Sequence, residues 1–125
     1  MNKFTQIDIK PELDSVTNPR IGLIALSTDF TIEQDYRRIC HNLPLDIFVN
    51  RIPFKNPLNH ENYLKMSDHL PSIAKNILPD QELNTIAYGC TSGTVAMGEN
   101  LIANQIKKSK PNTYVTTPIT AALKA

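Results

Sequence analysis

Short apolar runs of strand length alternate along this chain with segments that show helical spacing. Each run is bounded by proline, glycine or polar residues, which is typical of buried strands. The four runs cover residues 20–26, 45–52, 85–88 and 114–116. Because strands joined by helical crossovers pair in parallel, the sequence predicts one α/β layer. We expect an open parallel sheet of the flavodoxin type, with helices on both faces.

The segment after the first strand predicts an amphipathic helix that ends near residues 41–42. Its apolar face consists of Ile32, Tyr36, Ile39 and Cys40. Free cysteines are common in cores, and Cys40 shares this apolar stripe, so we interpret it as structural.

Three further helices are predicted. Residues 60–78 fit a long helix with a break before Pro71, and residues 95–102 fit another. Thr117 is a good N-cap, followed by Pro118 at the first helical position of a short last helix. That helix has no stop signal. We therefore expect a sequence cut within a longer protein, with a short docked helix at a natural C-terminus as the alternative.

Length and charge restrict the function. The 125 residues fit one domain at 20–125, preceded by a polar leader at 1–19. Lys and Arg number 13 against 12 Asp and Glu, with no basic run beyond residues 107–110, so we predict no nucleic-acid partner. The apolar runs are too short for a membrane span or a signal peptide, which favours a cytoplasmic protein with no membrane partner.

The sequence gives no support for a metal or a cofactor. The three histidines have no mutual spacing typical of metal ligands, and no Cys-x-x-Cys pair occurs. Residues 89–93 lack the lysine of a phosphate-binding loop, and Gly22 stands outside any glycine cluster. We expect chemistry that needs neither.

Residues 89–94, Gly-Cys-Thr-Ser-Gly-Thr, are the part of the chain best suited to chemistry. They place the Cys90 thiol at a strand end, in a turn whose N–H groups stay open to a ligand. A helix is expected just beyond, and its dipole favours a thiolate and a bound carboxylate. Although a lone cysteine is more often a core residue, this setting favours a functional thiol.

A second loop, Ser27-Thr28-Asp29, follows the first strand. If the first and third strands are neighbours at the point where strand order reverses, both loops face one crevice. Asp29 either caps the first helix or contacts a ligand. Glu33 either completes that cap, which is the favoured interpretation, or reaches the pocket.

Three stretches together resemble the aspartate/glutamate racemase superfamily: residues 21–33, 87–94 and 116–123. More narrowly, they are similar to the branch that holds maleate cis-trans isomerase, arylmalonate decarboxylase and the ectoine-utilisation proteins named EutA. The resemblance implies a protein of about twice this length, with two pseudo-twofold related halves and the site between them. This chain would be the first half.

The resemblance also implies roles for individual residues. Cys90 aligns with the first catalytic cysteine, and Thr91 and Ser92 with residues that hold a substrate carboxylate. Asp29 falls where the isomerases carry a substrate-binding asparagine. The acid disfavours a simple dicarboxylate and suits a substrate with an amine, because two negative charges would otherwise meet. Ser27 and Thr28 are also assigned to substrate binding. The Ser27-Thr28-Asp29 loop as a whole favours the ectoine-utilisation subgroup.

The implied function is cofactor-independent isomerisation or racemisation next to a carboxylate of a small amino or dicarboxylic acid. Cys90 would act as thiolate nucleophile or base. The decarboxylases carry glycine at this position, which argues against that subtype. A second cysteine and a carboxylate-binding tyrosine are expected beyond Ala125, so the chain alone is expected to be inactive, and the full-length form to be a homo-oligomer. The alternatives are a non-catalytic small-acid binding module or an inactive fragment.

Overall fold

Four parallel strands form a single sheet in the computed structural model, which describes residues 7–12 and 17–125. The strands are β1 (Arg20–Leu26), β2 (Asp46–Ile52), β3 (Thr85–Tyr88) and β4 (Tyr114–Thr116). Their order across the sheet is β2-β1-β3-β4. The chain therefore moves outward from β1 to β2 and then returns past β1 to β3, so strand order reverses between β1 and β3.

In the described part of the chain, six helices connect and follow the strands. They are α1 (Ile32–Cys40), α2 (His60–Ser67), α3 (Leu70–Lys75), α4 (Thr91–Met97), α5 (Glu99–Lys107) and α6 (Pro118–Lys124). None of these helices is long and apolar enough to cross a bilayer, over the residues that the structure describes.

The two faces of the sheet are covered by different helices. Adjacent residues of a strand point to opposite faces. Asn50 of β2 donates a hydrogen bond to the Ile73 carbonyl of α3, whereas Arg51 pairs with Glu33 of α1. Helix α1 thus lies on one face, and α2 to α5, which contact one another, lie on the other. The predicted open parallel sheet with helices on both faces is confirmed.

The main hydrophobic core lies between the sheet and helices α2 to α5. Its members alternate along the strands and recur at helical spacing along the helices, as burial of one face requires. The fully buried side chains include Ile24, Ile52, Leu70, Ile86, Ile102 and Ile106.

Two predictions about helices are wrong. The helix expected from Val95 begins at Thr91, and a new helix starts after Gly98, whose φ of 81° ends α4. In α1, Ile39 is 76% exposed instead of lying on the buried face. The pairing of Glu33 with Arg51 explains the difference, because it turns the Glu33 side of the helix toward the sheet and Ile39 away from it.

The predictions for α2, α3 and α6 agree better with the structure, although α3 ends at Lys75 and the prediction extended to residue 78. The predicted break before Pro71 is present, since α2 ends at Ser67 and α3 begins at Leu70. Thr117 caps α6 in a reciprocal arrangement with Thr120, and Pro118 is the first helical residue, as expected.

A buried lysine holds the turn that leads into β3. Lys110 is 5% exposed, and its ammonium donates hydrogen bonds of 2.8 and 2.7 Å to the carbonyls of Leu78 and Gln81. Both Leu78 and Asp80 have positive φ, which strains residues other than glycine. Lys110 therefore stabilises a turn that the backbone alone disfavours.

Replacement of Lys110 by Met is expected to lower the free energy of unfolding by about 2 kcal/mol, because two carbonyls lose a charged donor in a partly buried turn. Urea unfolding followed by circular dichroism measures the change. Lys107→Met on the exposed side of α5 is the control and is expected to have little effect. Equal effects of the two substitutions would contradict the role of Lys110.

Candidate functional site

Two loops meet at the carboxyl edge of the sheet where strand order reverses. Residues 27–29 leave β1 and residues 89–92 leave β3, and these strands are hydrogen-bonded neighbours. The Gly89 N–H donates to the Ile24 carbonyl at 2.9 Å, which continues the pairing to the start of the second loop. The strand arrangement on which the predicted crevice depends is therefore present. In open α/β sheets this is where ligands bind.

Cys90 occupies the N-cap of α4. Its Sγ accepts a hydrogen bond from the Gly93 N–H at 3.2 Å, and its carbonyl accepts one from the Thr94 hydroxyl at 2.7 Å. Sulfur here fills the place that a serine or aspartate oxygen usually takes. The side chain is only 5% exposed, so the thiol lies at the inner wall of the crevice.

The sequence around Cys90 contributes hydroxyls and N–H groups to the crevice. Thr91 and Ser92 are exposed and form the first turn of α4. Their N–H groups have no acceptor within the helix, because the first N–H groups of any helix lie ahead of its hydrogen-bond ladder. The Ser92 Oγ lies 3.7 Å from the Cys90 Sγ. These groups can accept a carboxylate beside the sulfur.

Two tyrosines, one from α2 and one from β3, also lie beside the Cys90 turn. Tyr63 of α2 donates a hydrogen bond of 3.0 Å from its hydroxyl to the Ser92 Oγ, across 29 residues of sequence. Tyr88, the last residue of β3, is 1% exposed, and its hydroxyl lies on the core side of the sulfur near Gly93. Apart from the tyrosine hydroxyls themselves, no signal in the sequence predicts these contacts.

Asp29 shapes the first loop by accepting hydrogen bonds from it. Its Oδ1 accepts from the N–H groups of Ile32 at 3.0 Å and Thr31 at 2.8 Å, and from the Thr31 hydroxyl at 3.1 Å. The Ile32 N–H, followed by the Thr31 N–H, holds the pKa of this carboxyl below its usual value. The geometry therefore favours the capping alternative for Asp29.

Arg51, near the end of β2, donates hydrogen bonds to the same loop. No sequence pattern predicted this role. Its guanidinium donates to the carbonyls of Leu26 at 3.0 Å and Asp29 at 2.5 Å, and to the Glu33 carboxylate at 2.5 Å. The expectation that Glu33 completes a helix cap is therefore wrong, because its carboxylate is engaged by Arg51. A planar guanidinium suits this task, since it presents several donors in one plane.

The remaining predicted residues are less engaged. The Ser27 hydroxyl accepts a hydrogen bond from the Phe54 N–H at 3.2 Å, and Thr28 is exposed at the loop tip. Cys40 is half-buried at the far end of α1 from the crevice. Within residues 7–12 and 17–125, no three His, Cys, Asp or Glu side chains are grouped as a metal site would require.

The fold matches solved structures of maleate isomerases. It superposes on the Nocardia farcinica maleate cis-trans isomerase bound to Tris with a TM-score of 0.66 and 19% identity, covering 85% of this chain and 46% of that one. The maleate isomerase Iso from Pseudomonas putida S16 gives a TM-score of 0.63 at 19% identity, covering 86% and 47% of the two chains.

A third match has a trapped intermediate. It is a cysteine-to-serine mutant of the Nocardia farcinica enzyme with a covalently bound succinylcysteine intermediate, with a TM-score of 0.65, 19% identity and coverage of 86% and 47%. No family model matches the chain, and no curated protein matches its sequence. The chain thus spans about half the length of these structures and shares their fold, which confirms the predicted resemblance at the level of the fold.

Gly93 is predicted to tolerate no side chain. A Cβ at this position would lie 2.6 Å from the Tyr88 hydroxyl oxygen and 3.0 Å from the Cys90 Sγ. Gly93→Ala is therefore expected to lower the free energy of unfolding by about 1–3 kcal/mol, the usual cost of overpacking. Urea unfolding measures it. Val95→Ala on the exposed side of α4 is the control, and a neutral Gly93→Ala would contradict the close packing.

Replacement of Asp29 by Ala is expected to cost about 1 kcal/mol at neutral pH, because two backbone N–H groups lose their acceptor. Since the pKa of Asp29 is lowered in the fold, the stabilisation by its charge is present above the usual value of 3.8 and is lost as pH falls further. Urea unfolding over this range measures it. Asp29→Asn keeps an acceptor oxygen without the charge, so its difference from wild type should shrink in acid. A difference that stays constant with pH would contradict this.

Proposed function

We propose that this chain, with Cys90, is one half of a cofactor-independent isomerase or racemase that acts next to a carboxylate of a small amino or dicarboxylic acid. The observation that carries the proposal is the position of Cys90. Its sulfur lies at the carboxyl end of β3, at the reversal of strand order, with the Gly93 N–H as donor and the exposed Ser92 hydroxyl close by. The match to maleate isomerase structures supports it.

In the isomerase form of this proposal, Cys90 acts as a nucleophile. The thiolate forms a C–S bond to one carbon of a double bond conjugated to a carboxylate, and the electron pair moves to the other carbon, where the carboxylate stabilises it. Rotation about the resulting single bond follows. The electron pair then re-forms the double bond and expels the thiolate. The trapped succinylcysteine of the Nocardia farcinica mutant is the kind of adduct that this step produces.

In the racemase form, the Cys90 thiolate takes the proton from the carbon next to the carboxylate and becomes a thiol. An acid on the opposite face then donates a proton to that carbon. The matching isomerases are about twice as long as the region that they share with this chain. We therefore infer that a second half supplies the opposing acid and closes the crevice. The full-length form is also expected to be a homo-oligomer.

Substrate binding is assigned to the two loops. The exposed Thr91 and Ser92 offer N–H groups and hydroxyls for one carboxylate. Asp29 uses Oδ1 for its own loop, and its negative charge beside Ser27 and Thr28 favours an amine at the other end of the substrate over a second carboxylate. An amino acid, including one formed during ectoine degradation, fits this charge pattern better than maleate does.

A non-catalytic small-acid binding module is the second candidate. It is favoured by the burial of Cys90, which is 5% exposed and already serves as the cap of α4. Because the cap of α4 already explains why a cysteine stands here, no catalytic role is required. Such a module would bind the same carboxylates at Thr91 and Ser92 and leave them unchanged.

Replacement of Cys90 by Ser in the full-length protein is expected to lower turnover of its amino or dicarboxylic acid by about a hundredfold or more, because a hydroxyl is a much weaker nucleophile and base. Binding measured by calorimetry should persist. Cys40→Ser is the matched control and should keep wild-type turnover.

Two outcomes contradict the enzyme. If Cys90→Ser keeps wild-type turnover, the cysteine mechanism is wrong. If the wild-type protein binds small amino or dicarboxylic acids but converts none of them, and mass spectrometry finds no adduct at Cys90, the binding module is correct.

A further inference from the structure

The Tyr88 hydroxyl is a buried polar group that lacks a partner. Tyr88 is 1% exposed, and its oxygen accepts or donates no hydrogen bond within the described part of the chain. Leaving such a group unpaired costs about as much as a lost hydrogen bond, and phenylalanine would fill the same space without that cost. An unpaired hydroxyl in this position therefore needs a functional explanation.

The nearest functional group is the sulfur of Cys90. The Tyr88 hydroxyl oxygen and the Cys90 Sγ lie 2.6 and 3.0 Å from one point, the position that a Cβ on Gly93 would occupy. Gly93 has no side chain, so nothing separates the two groups there. Burial raises the pKa of Tyr88, and the nearby Cys90 and Tyr63 raise it further. The phenol therefore keeps its proton and is available as a donor.

We propose that Tyr88 is a positioning residue whose hydroxyl donates a hydrogen bond to the Cys90 sulfur when that sulfur is a thiolate. This inference rests on the proposed role of Cys90. A neutral thiol is a weak acceptor, whereas a thiolate is a strong one. The Gly93 N–H already donates to the sulfur at 3.2 Å, and the Ser92 hydroxyl lies at 3.7 Å. Tyr88 adds a donor from the core side, where substrate cannot reach.

A thiolate has three lone pairs, and the buried Tyr88 hydroxyl and Gly93 N–H would take two of them. Gly93 and Ser92 belong to the first turn of α4, and Tyr88 belongs to the strand beneath it. The third lone pair is left on the side of the exposed Ser92 and the crevice between the two loops. Tyr88 thus aims the nucleophile without touching the substrate.

The test uses the 125-residue chain, whose two cysteines are Cys40 and Cys90. It compares Tyr88→Phe with the parent, both in a Cys40→Ser background, so that Cys90 is the only thiol present. Ultraviolet absorbance of the thiolate gives its amount, and alkylation by iodoacetamide gives its reactivity. At a pH where only a small fraction of the parent is thiolate, Tyr88→Phe is expected to hold about tenfold less of it, as loss of one hydrogen bond to a charged group predicts. Alkylation should slow only about threefold, because the remaining thiolate is more nucleophilic.

Two readouts separate positioning from a structural role. Tyr88→Phe should leave the free energy of unfolding unchanged or raise it, since an unpaired buried hydroxyl is removed. Tyr36→Phe, on the other face of the sheet, is the control and should change neither thiolate amount nor alkylation rate. Unchanged thiolate amount and alkylation rate in Tyr88→Phe would overturn the proposal, as would a parent protein that forms no thiolate at any pH at which it is folded.

A second measurement decides the matter if Tyr88→Phe does not fold. The hydroxyl proton of a buried tyrosine exchanges slowly enough to be followed by NMR, and for Tyr88 it should move downfield when the parent forms its thiolate. In Cys90→Ala the resonance should stay unmoved over the same pH range, and an unmoved resonance in the parent overturns the proposal. These readouts need no turnover, so loss of thiolate in Tyr88→Phe supports Tyr88 even if the full-length protein converts no acid.

Discussion

The parallel pairing of β1 with β3 is the constraint on which the candidate site depends. Residues 21–24 pair in register with residues 85–88, so the two strands end at the same edge of the sheet. Strand β2 lies on the other side of β1, and the chain therefore leaves β1 toward one face and β3 toward the other. The two loops therefore diverge at that edge. The gap between them follows from the strand order alone and does not depend on the side chains.

The two sides of this gap are held by different forces. Arg51 holds the first loop through two carbonyls and the Glu33 carboxylate, and its side chain is 39% exposed. An ion pair that exposed contributes little to stability by itself, so its effect is to select one loop conformation. The second loop is held by buried hydrogen bonds at Cys90, which salt and solvent screen much less. The loop at residues 27–29 therefore changes conformation more easily than the loop at residues 89–92.

Local patterns in the sequence were enough to find the strands. β1, β3 and β4 have the predicted bounds, because each is a short segment between clear boundary residues. The start of α4 was missed because its cap is a cysteine, and cap rules are built on oxygen side chains. Arg51 and Tyr63 act across 18 to 29 residues of sequence, at Glu33 and Ser92. Such contacts depend on strand order, which no local spacing encodes.

The cap at Cys90 links stability to the proposed chemistry. While the sulfur is a thiolate, it is a better acceptor for the Gly93 N–H than a neutral thiol is, so charge on the sulfur strengthens the start of α4. When the sulfur forms a bond to carbon it becomes a thioether, which is a weak acceptor. The hydrogen bond from the Gly93 N–H to the sulfur is then weakened. The fold then favours departure of the thiolate over a lasting adduct. An isomerase needs that property, because its nucleophile must leave as readily as it adds.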